Sequence, residues 1–140
     1  MMAVSVERVL EGWARAWSSH DLEQLLALFT DDCTYEDVTF GVINRGKAQL
    51  RAFAEGVFAG VPDFTVEITS RVVAGDRAAM EWLMSGTHRG DFPGMPATGK
   101  RFAGLRGVTV LELEGGKIRR NSDYWDAATA MRQVGLLPAA

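Results

Sequence analysis

The group in this sequence best suited to proton chemistry is an aspartate flanked, two residues to either side, by an asparagine and a tryptophan. The segment reads GGKIRRNSDYWD, residues 115–126. Gly115-Gly116 is a hairpin signal, because mirror-image turns need positive φ and glycine supplies it without steric cost. A strand should follow, and on it Arg119, Asn121, Asp123 and Trp125 share one face. A large aromatic is seldom left bare in water. If Trp125 faces inward, Asp123 and Asn121 face inward with it. A carboxylate in an apolar cavity has its pKa raised by desolvation, which suits general acid/base work near neutral pH. The competing reading is a solvated carboxylate near a strand end, the ordinary place for an aspartate.

A second polar candidate is His88, in SGTHRG. It ends a run in which Met80, Trp82 and Met84 recur at a spacing of two, so it is the polar end of an inward face. There it can orient a substrate carbonyl or relay a proton, or simply be a hydrogen-bonded core histidine. Tyr35-Glu36-Asp37 closes a short strand. Adjacent acids point to opposite faces, so at most one of Glu36 and Asp37 enters a pocket. The loop 90–100 carries Phe92, Pro93 and Met95 at its tip, the composition of a lid or of a contact with another subunit. Trp13, Trp17, Phe53, Trp82, Met84 and Trp125 supply apolar surface for a core and for the wall of a pocket inside it.

The elements that must position these groups are legible from period. Val6, Val9, Leu10, Trp13 and Trp17 mark one face of a helix that Ser5 can cap. Leu22, Leu25, Leu26 and Phe29 repeat that spacing after a break at residues 18–21. A short strand runs from Cys33 to Val38, and Asn44-Arg45-Gly46 is a turn. A third helix carries Leu50, Phe53, Ala54, Val57 and Phe58 on one face and stops at Pro62. The period then becomes two. Strands are expected from Phe64 to Val73, Ala78 to Arg89, Phe102 to Leu113, and after Gly115-Gly116. A last helical stretch runs from Ala127 to Val134. Gly86, Gly90, Gly104 and Gly107 fall inside strand patterns, where glycine usually marks a bulge or bend. Helices followed by a meander of antiparallel strands give an α+β chain. A strongly bent sheet with helices on its concave side leaves a cone with an opening.

Composition narrows the function. The 140 residues fit one domain spanning 1–140, without internal repeat or linker. A net charge of −3 without a basic patch argues against nucleic acid, and no apolar run is long enough to span a membrane. Glu7 and Arg8 stand where a signal peptide would carry its uncharged core. The single cysteine, Cys33, fits a reducing cytoplasm. With His20, His88 and Cys33 as the sole soft ligands and no metal-type spacing, no metal site is expected. Nucleophile-elbow, phosphate-loop and dinucleotide motifs are absent. What remains is cofactor-free acid/base chemistry, or binding without chemistry.

Two stretches, GTHRGDFPGMPATGKRFAG at 86–104 and GGKIRRNSDYWDAATAMRQVG at 115–135, resemble the SnoaL-like polyketide cyclases. With the helical first half, the resemblance covers nearly the whole chain. It implies a cone-shaped α+β barrel of the nuclear transport factor 2-like superfamily, with N-terminal helices on a strongly curved, mostly antiparallel sheet. It also implies ring closure by intramolecular aldol condensation of a hydrophobic carbonyl substrate, without cofactor, and a homodimer through the exposed sheet face. The acid/base aspartate of those cyclases lies in a K-I-R-x-x-x-D segment, matched by Lys117-Ile118-Arg119 and Asp123. Their assistant histidine falls on Val108 or Thr109. On this reading Asp123 is catalytic with His88 and Asn121 as orienting groups. Trp13, Trp17, Tyr35, Asp37, Phe53, Trp82, Met84, Phe92 and Trp125 line the substrate. Limonene-epoxide hydrolase is similar around Ser122 to Asp126, and ketosteroid isomerase places its base in a segment resembling Glu36-Asp37-Val38. The alternatives are therefore an epoxide hydrolase or isomerase using the same aspartate, or a non-catalytic ligand-binding or dimerising module.

Overall fold

Residues 5–139 are described by the computed structural model of the chain. Helix α1 (Val6–Ser19) presents Val9, Leu10, Trp13, Ala16 and Trp17 to the interior, the face its period predicts. Ser5 occupies the N-cap position, but its side chain makes no capping bond. Helix α2 (Leu22–Ala27) is capped by Asp21, whose carboxylate accepts from the Gln24 N–H at 3.0 Å. It ends before Phe29, which opens strand β1 (Phe29–Asp37). Strand β2 (Val42–Arg45) takes the place of the expected turn and pairs antiparallel with β1. Its inward residue, Asn44, fills its donor on the Tyr35 carbonyl at 3.3 Å, which is how a polar sequence supports a strand here. Helix α3 (Gly46–Gly60) follows.

The remaining strands are β3 (Thr65–Ala74), β4 (Arg77–Thr87), β5 (Arg101–Glu114) and β6 (Lys117–Trp125), before a short helix α4 (Ala127–Gln133). They form one six-stranded sheet in the order β2-β1-β6-β5-β4-β3. All neighbours are antiparallel except β1 and β6, which run parallel. Helices α1 and α3 pack across the concave side, against β3 and β1, and α4 leans on β5. The result is a cone-shaped α+β barrel with helices on a curved sheet. No helix among the described residues is long and apolar enough to cross a membrane.

Two irregularities decide which side chains face the cone. In β6, Arg120 pairs with Glu112 but Ile118 pairs with Leu113, so Arg119 is an extra, bulged residue. The bulge resets parity: Ile118 and Asn121 both point inward and Arg119 is exposed, not on the inward face as simple alternation predicts. In β5 an extra residue lies between Phe102 and Leu105, where Gly104 takes φ +61°. Of the four glycines expected at bends, Gly104 and Gly86 flank that bulge. Gly86 also answers to close approach, since a Cβ there would lie 2.2 Å from Val61, and so do Gly90 and Gly107. A Cβ at Gly90 would meet the Gly60 backbone at 2.7 Å, and one at Gly107 the Trp82 ring at 2.3 Å.

Candidate active site

The parallel pairing of β1 with β6 places Tyr35 opposite Asn121 and Asp37 opposite Asp123. Alternation along β1 turns Cys33, Tyr35 and Asp37 inward, and the reset parity of β6 turns Asn121 and Asp123 inward. Both carboxylates therefore enter the same space. Asp123 is 6% exposed and Asp37 5%, an unusual degree of burial for aspartate. The cavity they share lies between α1, α3 and the sheet and encloses about 770 Å³, its open mouth included. Trp13, Trp17, Tyr35, Phe53, Trp82, Met84, Phe92 and Trp125 all line it, and among the described residues no lysine or arginine does.

Asp123 is held by a converging set of donors. Thr109 Oγ1 donates to Oδ1 at 2.6 Å, Asn121 Nδ2 donates to the same oxygen at 2.8 Å, and the Tyr35 hydroxyl donates to Oδ2. Two tryptophans hold these donors in turn. Trp13 Nε1–H donates to Asn121 Oδ1 at 3.0 Å, which fixes the amide so that its NH₂ faces the carboxylate. Trp82 Nε1–H donates to Thr109 Oγ1 at 2.8 Å, leaving the threonine proton for Asp123. Each carboxylate oxygen has two lone-pair directions. Oδ1 is saturated by its two donors, while Oδ2 keeps one direction open.

Burial dominates the acidity of this group. It pushes the Asp123 carboxyl from the ordinary 3.8 up to about 6, against the opposing pull of the Thr109, Tyr35 and Asn121 hydrogen bonds, and the charge on Asp37 adds to the rise. Burial, and then the Asp123 charge, lifts the Tyr35 hydroxyl well above its usual range, so it stays a neutral donor. Asp37 is also raised, first by burial, while the Phe40 N–H and the Trp125 indole pull the other way. Its Oδ1 accepts from Phe40 N at 2.8 Å, and Trp125 Nε1 reaches both of its oxygens at 3.1 Å. Glu36, on the opposite face, pairs with Arg120 at 3.2 Å.

His88 is placed differently from the expectation that it orients substrate. It is buried and borders the cavity, yet both ring nitrogens address its own loop. Nε2 lies 3.1 Å from the Met95 carbonyl, which can only accept, so Nε2 carries a proton; Nδ1 faces Thr98 Oγ1 at 3.4 Å. The backbone of His88 is tied to Lys100 and Gly99 as well. Phe92, at the loop tip, stacks on Phe40 with centroids 5.7 Å apart and roofs the cavity.

The sequence profile of the SnoaL-like polyketide cyclases matches residues 7–134. The chain belongs to that family. Two curated relatives, the aklanonic acid methyl ester cyclases DnrD of Streptomyces peucetius and DauD of Streptomyces sp. strain C5, are each 42% identical over 50 residues. That match covers 36% of this chain and 34% and 30% of theirs, so the chain spans about a third of the length of the curated relatives it matches. Among solved structures, TsrD from Streptomyces laurentii is 25% identical with a TM-score of 0.83, over 94% of this chain and 96% of that one. A protein of ketosteroid isomerase-like fold from Catenulispora acidiphila, in complex with trimethylamine, is 27% identical with a TM-score of 0.81, over 92% and 93%.

Seen as a SnoaL-like domain, the site contains one contact that sequence reasoning did not draw. Thr109, on the inward face of β5, touches Asp123 directly. The signal was present. Leu105, Gly107, Thr109, Leu111 and Leu113 alternate inward along β5, and Thr109 is the polar member of that stripe. Phe102 and Leu105, from the start of β5, also line the cavity, as do Phe40, Val61 and Val134, which come from a turn and from the ends of α3 and α4, where periodicity gives no guide. Among the described residues no cluster of three or more His, Cys, Asp or Glu side chains is placed to hold a metal ion. Trp17 Nε1, buried at the cavity wall, has no hydrogen-bond partner there.

Proposed function

We propose that this SnoaL-like domain is a cofactor-independent acid/base enzyme that closes a ring in a polyketide or related carbonyl substrate by intramolecular aldol condensation. One observation carries the reading: Asp123 lies buried in an apolar cavity, fixed by three donors, with one lone pair of Oδ2 unused. With its pKa near 6, Asp123 is mostly ionised at pH 7 and close enough to neutrality to accept a proton efficiently. It removes the proton α to a carbonyl. The enolate carbon attacks a second carbonyl of the same molecule, and the new alkoxide takes a proton. The walls contribute by holding the two carbons in near-attack geometry, worth up to roughly 7–11 kcal/mol in well-oriented intramolecular cases. The name of the two curated relatives, cyclases of aklanonic acid methyl ester, supports a methyl ester among the first substrates to try.

The test is turnover of aromatic diketone esters by wild type and Asp123→Asn. The variant keeps the shape and removes the proton acceptor, and a loss of about 100-fold or more in kcat is expected. An Asn variant that turns over at the wild-type rate sinks the assignment. Ligand binding without turnover in wild type would make this a binding module, and oxygen from labelled water appearing in product would make it an epoxide hydrolase. The proposal includes a homodimer through the outer sheet face, where Tyr124 stands half exposed. Sedimentation of wild type and Tyr124→Glu reads that part, and a monomeric wild type would remove it.

A further inference from the structure

Asp37 is a buried carboxylate that the mechanism above leaves idle. It stands opposite Asp123 in the β1–β6 register, on strands roughly 4.8 Å apart, and lines the same cavity. The groups around the pair offer no countercharge. Tyr35 on β1, Thr109 on β5 and Asn121 on β6 are neutral donors to Asp123, His88 just after β4 has both nitrogens turned to its loop, and among the described residues no lysine or arginine lines the space. Two carboxylates in one apolar enclosure cannot both stay ionised once a ligand expels the remaining water, because like charges at short range favour binding of a proton. Asp37 is also equipped to work. Oδ1 is occupied by Phe40 N–H and Trp125 Nε1–H, while Oδ2 shares only the latter, so one side of Oδ2 remains open.

We infer that Asp37 is a second catalytic carboxyl, and that Asp37 and Asp123 share one proton in the ligand-filled cavity and act as an acid/base pair. The inference rests on the acid/base reading above and extends it. Asp123, ionised, takes the proton from the α-carbon and becomes the neutral acid. The enolate carbon forms its bond to the second carbonyl carbon, whose π electrons move to oxygen. Asp37, protonated, gives its proton to that oxygen and becomes the carboxylate. Transfer of the proton from Asp123 to Asp37 restores the starting state, so no atom or electron is gained or lost beyond the isomerisation of the substrate. A purely structural Asp37 would only anchor Phe40 N–H and Trp125. Asn at 37 keeps an acceptor for both, so Asp37→Asn separates the two roles.

The experiment has two arms. In the first, carboxyl-carbon NMR titrations are run on wild type, Asp37→Asn and Asp123→Asn without any ligand. Coupling is expected to show as a fall in the midpoint of each remaining carboxyl when the other is replaced. Midpoints that stay in place when the partner carboxyl is removed overturn the pair. In the second arm a diketone that can close on itself, 2,6-heptanedione, serves as a probe, and deuterium exchange of its α protons and its ring closure at pH 7 are both followed by NMR. Asp37→Asn is expected to lose about tenfold or more in the rate of ring closure at saturation with little change in KM, and an unchanged closure rate overturns the catalytic role. Wild type that shows coupled titration and no exchange counts against the acid/base function itself, while the carboxylate pair stands.

Discussion

The ring of Trp82 fills the space that a side chain at Gly107 would need. The two residues face one another across β4 and β5, and a Cβ on residue 107 would lie 2.3 Å from a ring carbon. That same indole donates to Thr109, which donates to Asp123. Gly107 is therefore a packing requirement three contacts away from the carboxylate. Gly107→Ala is expected to displace the ring, cost roughly 1–3 kcal/mol through overpacking, and raise the Asp123 midpoint as the Thr109 donor loosens. Denaturant unfolding and carboxyl titration read the two effects. An alanine variant as stable as wild type, with Asp123 unmoved, would show that the ring has room to yield.

Tyr35→Phe removes one of three donors to Asp123 and keeps the ring that packs on Trp17 and Phe53, at 6.0 and 5.6 Å. The hydrogen bond favours the ionised carboxyl, so its loss raises a pKa already near 6. A hydrogen bond to a charged group is worth about 1.5–3 kcal/mol, which corresponds to a rise of roughly one to two units. The acidic limb of the pH–rate profile should move up by that amount, leaving the variant slow at pH 6 and partly recovered at pH 8. A limb that stays in place would mean that Tyr35 does not support the reacting carboxyl.

Much of this arrangement is written in local pattern. Asp123, Asn121 and Trp125 were legible because alternation holds over the last five residues of β6. It fails two residues earlier, at Arg119, since a bulge depends on the partner strand and leaves no mark in a single strand's period. Strand β2 escaped because Asn44 and Arg45 read as turn residues, and only the Tyr35 carbonyl makes Asn44 at home in the interior. Asp37 was readable as one of two adjacent acids, but its pairing with Asp123 was not. The β1–β6 contact is parallel and joins residues more than eighty positions apart, a relation fixed by topology and not by propensity. His88 had the right burial and a different employment, because hydrogen-bond direction belongs to the loop it meets.

The loop gives the next prediction. His88 Nε2–H satisfies the Met95 carbonyl, and Phe92 lies so close to Gly60 that a Cβ there would sit 2.5 Å from its ring. His88→Ala leaves that carbonyl unpaired and is expected to cost about 1 kcal/mol or more. It should also speed proteolytic cleavage within residues 90–100 and raise KM through the loosened roof. If His88 fastens the loop, the pH–rate limb near 6 stays where it is. A limb that shifts or vanishes in the variant would return His88 to the proton chemistry.

Stability should fall with rising pH over the range in which Asp123 ionises. Its folded pKa, about 6, lies above the ordinary 3.8, so between those values the unfolded chain has released the proton that the native state still holds. The native state binds more protons there, and the slope of unfolding free energy against pH is negative. The contribution is fully present below about pH 4 and lost by about pH 7, and its ceiling is about 3 kcal/mol for a shift of this size. Asp37, raised in the same direction by burial, adds to the slope. Asp123→Asn has no proton to lose at that position. The stability of wild type relative to the variant should therefore decline from pH 4 to pH 7 and level off above it, as measured by urea unfolding at each pH. A relative stability that is flat across this window would mean that the Asp123 carboxyl is solvated in the native protein, and the acid/base chemistry built on its burial would fall with it.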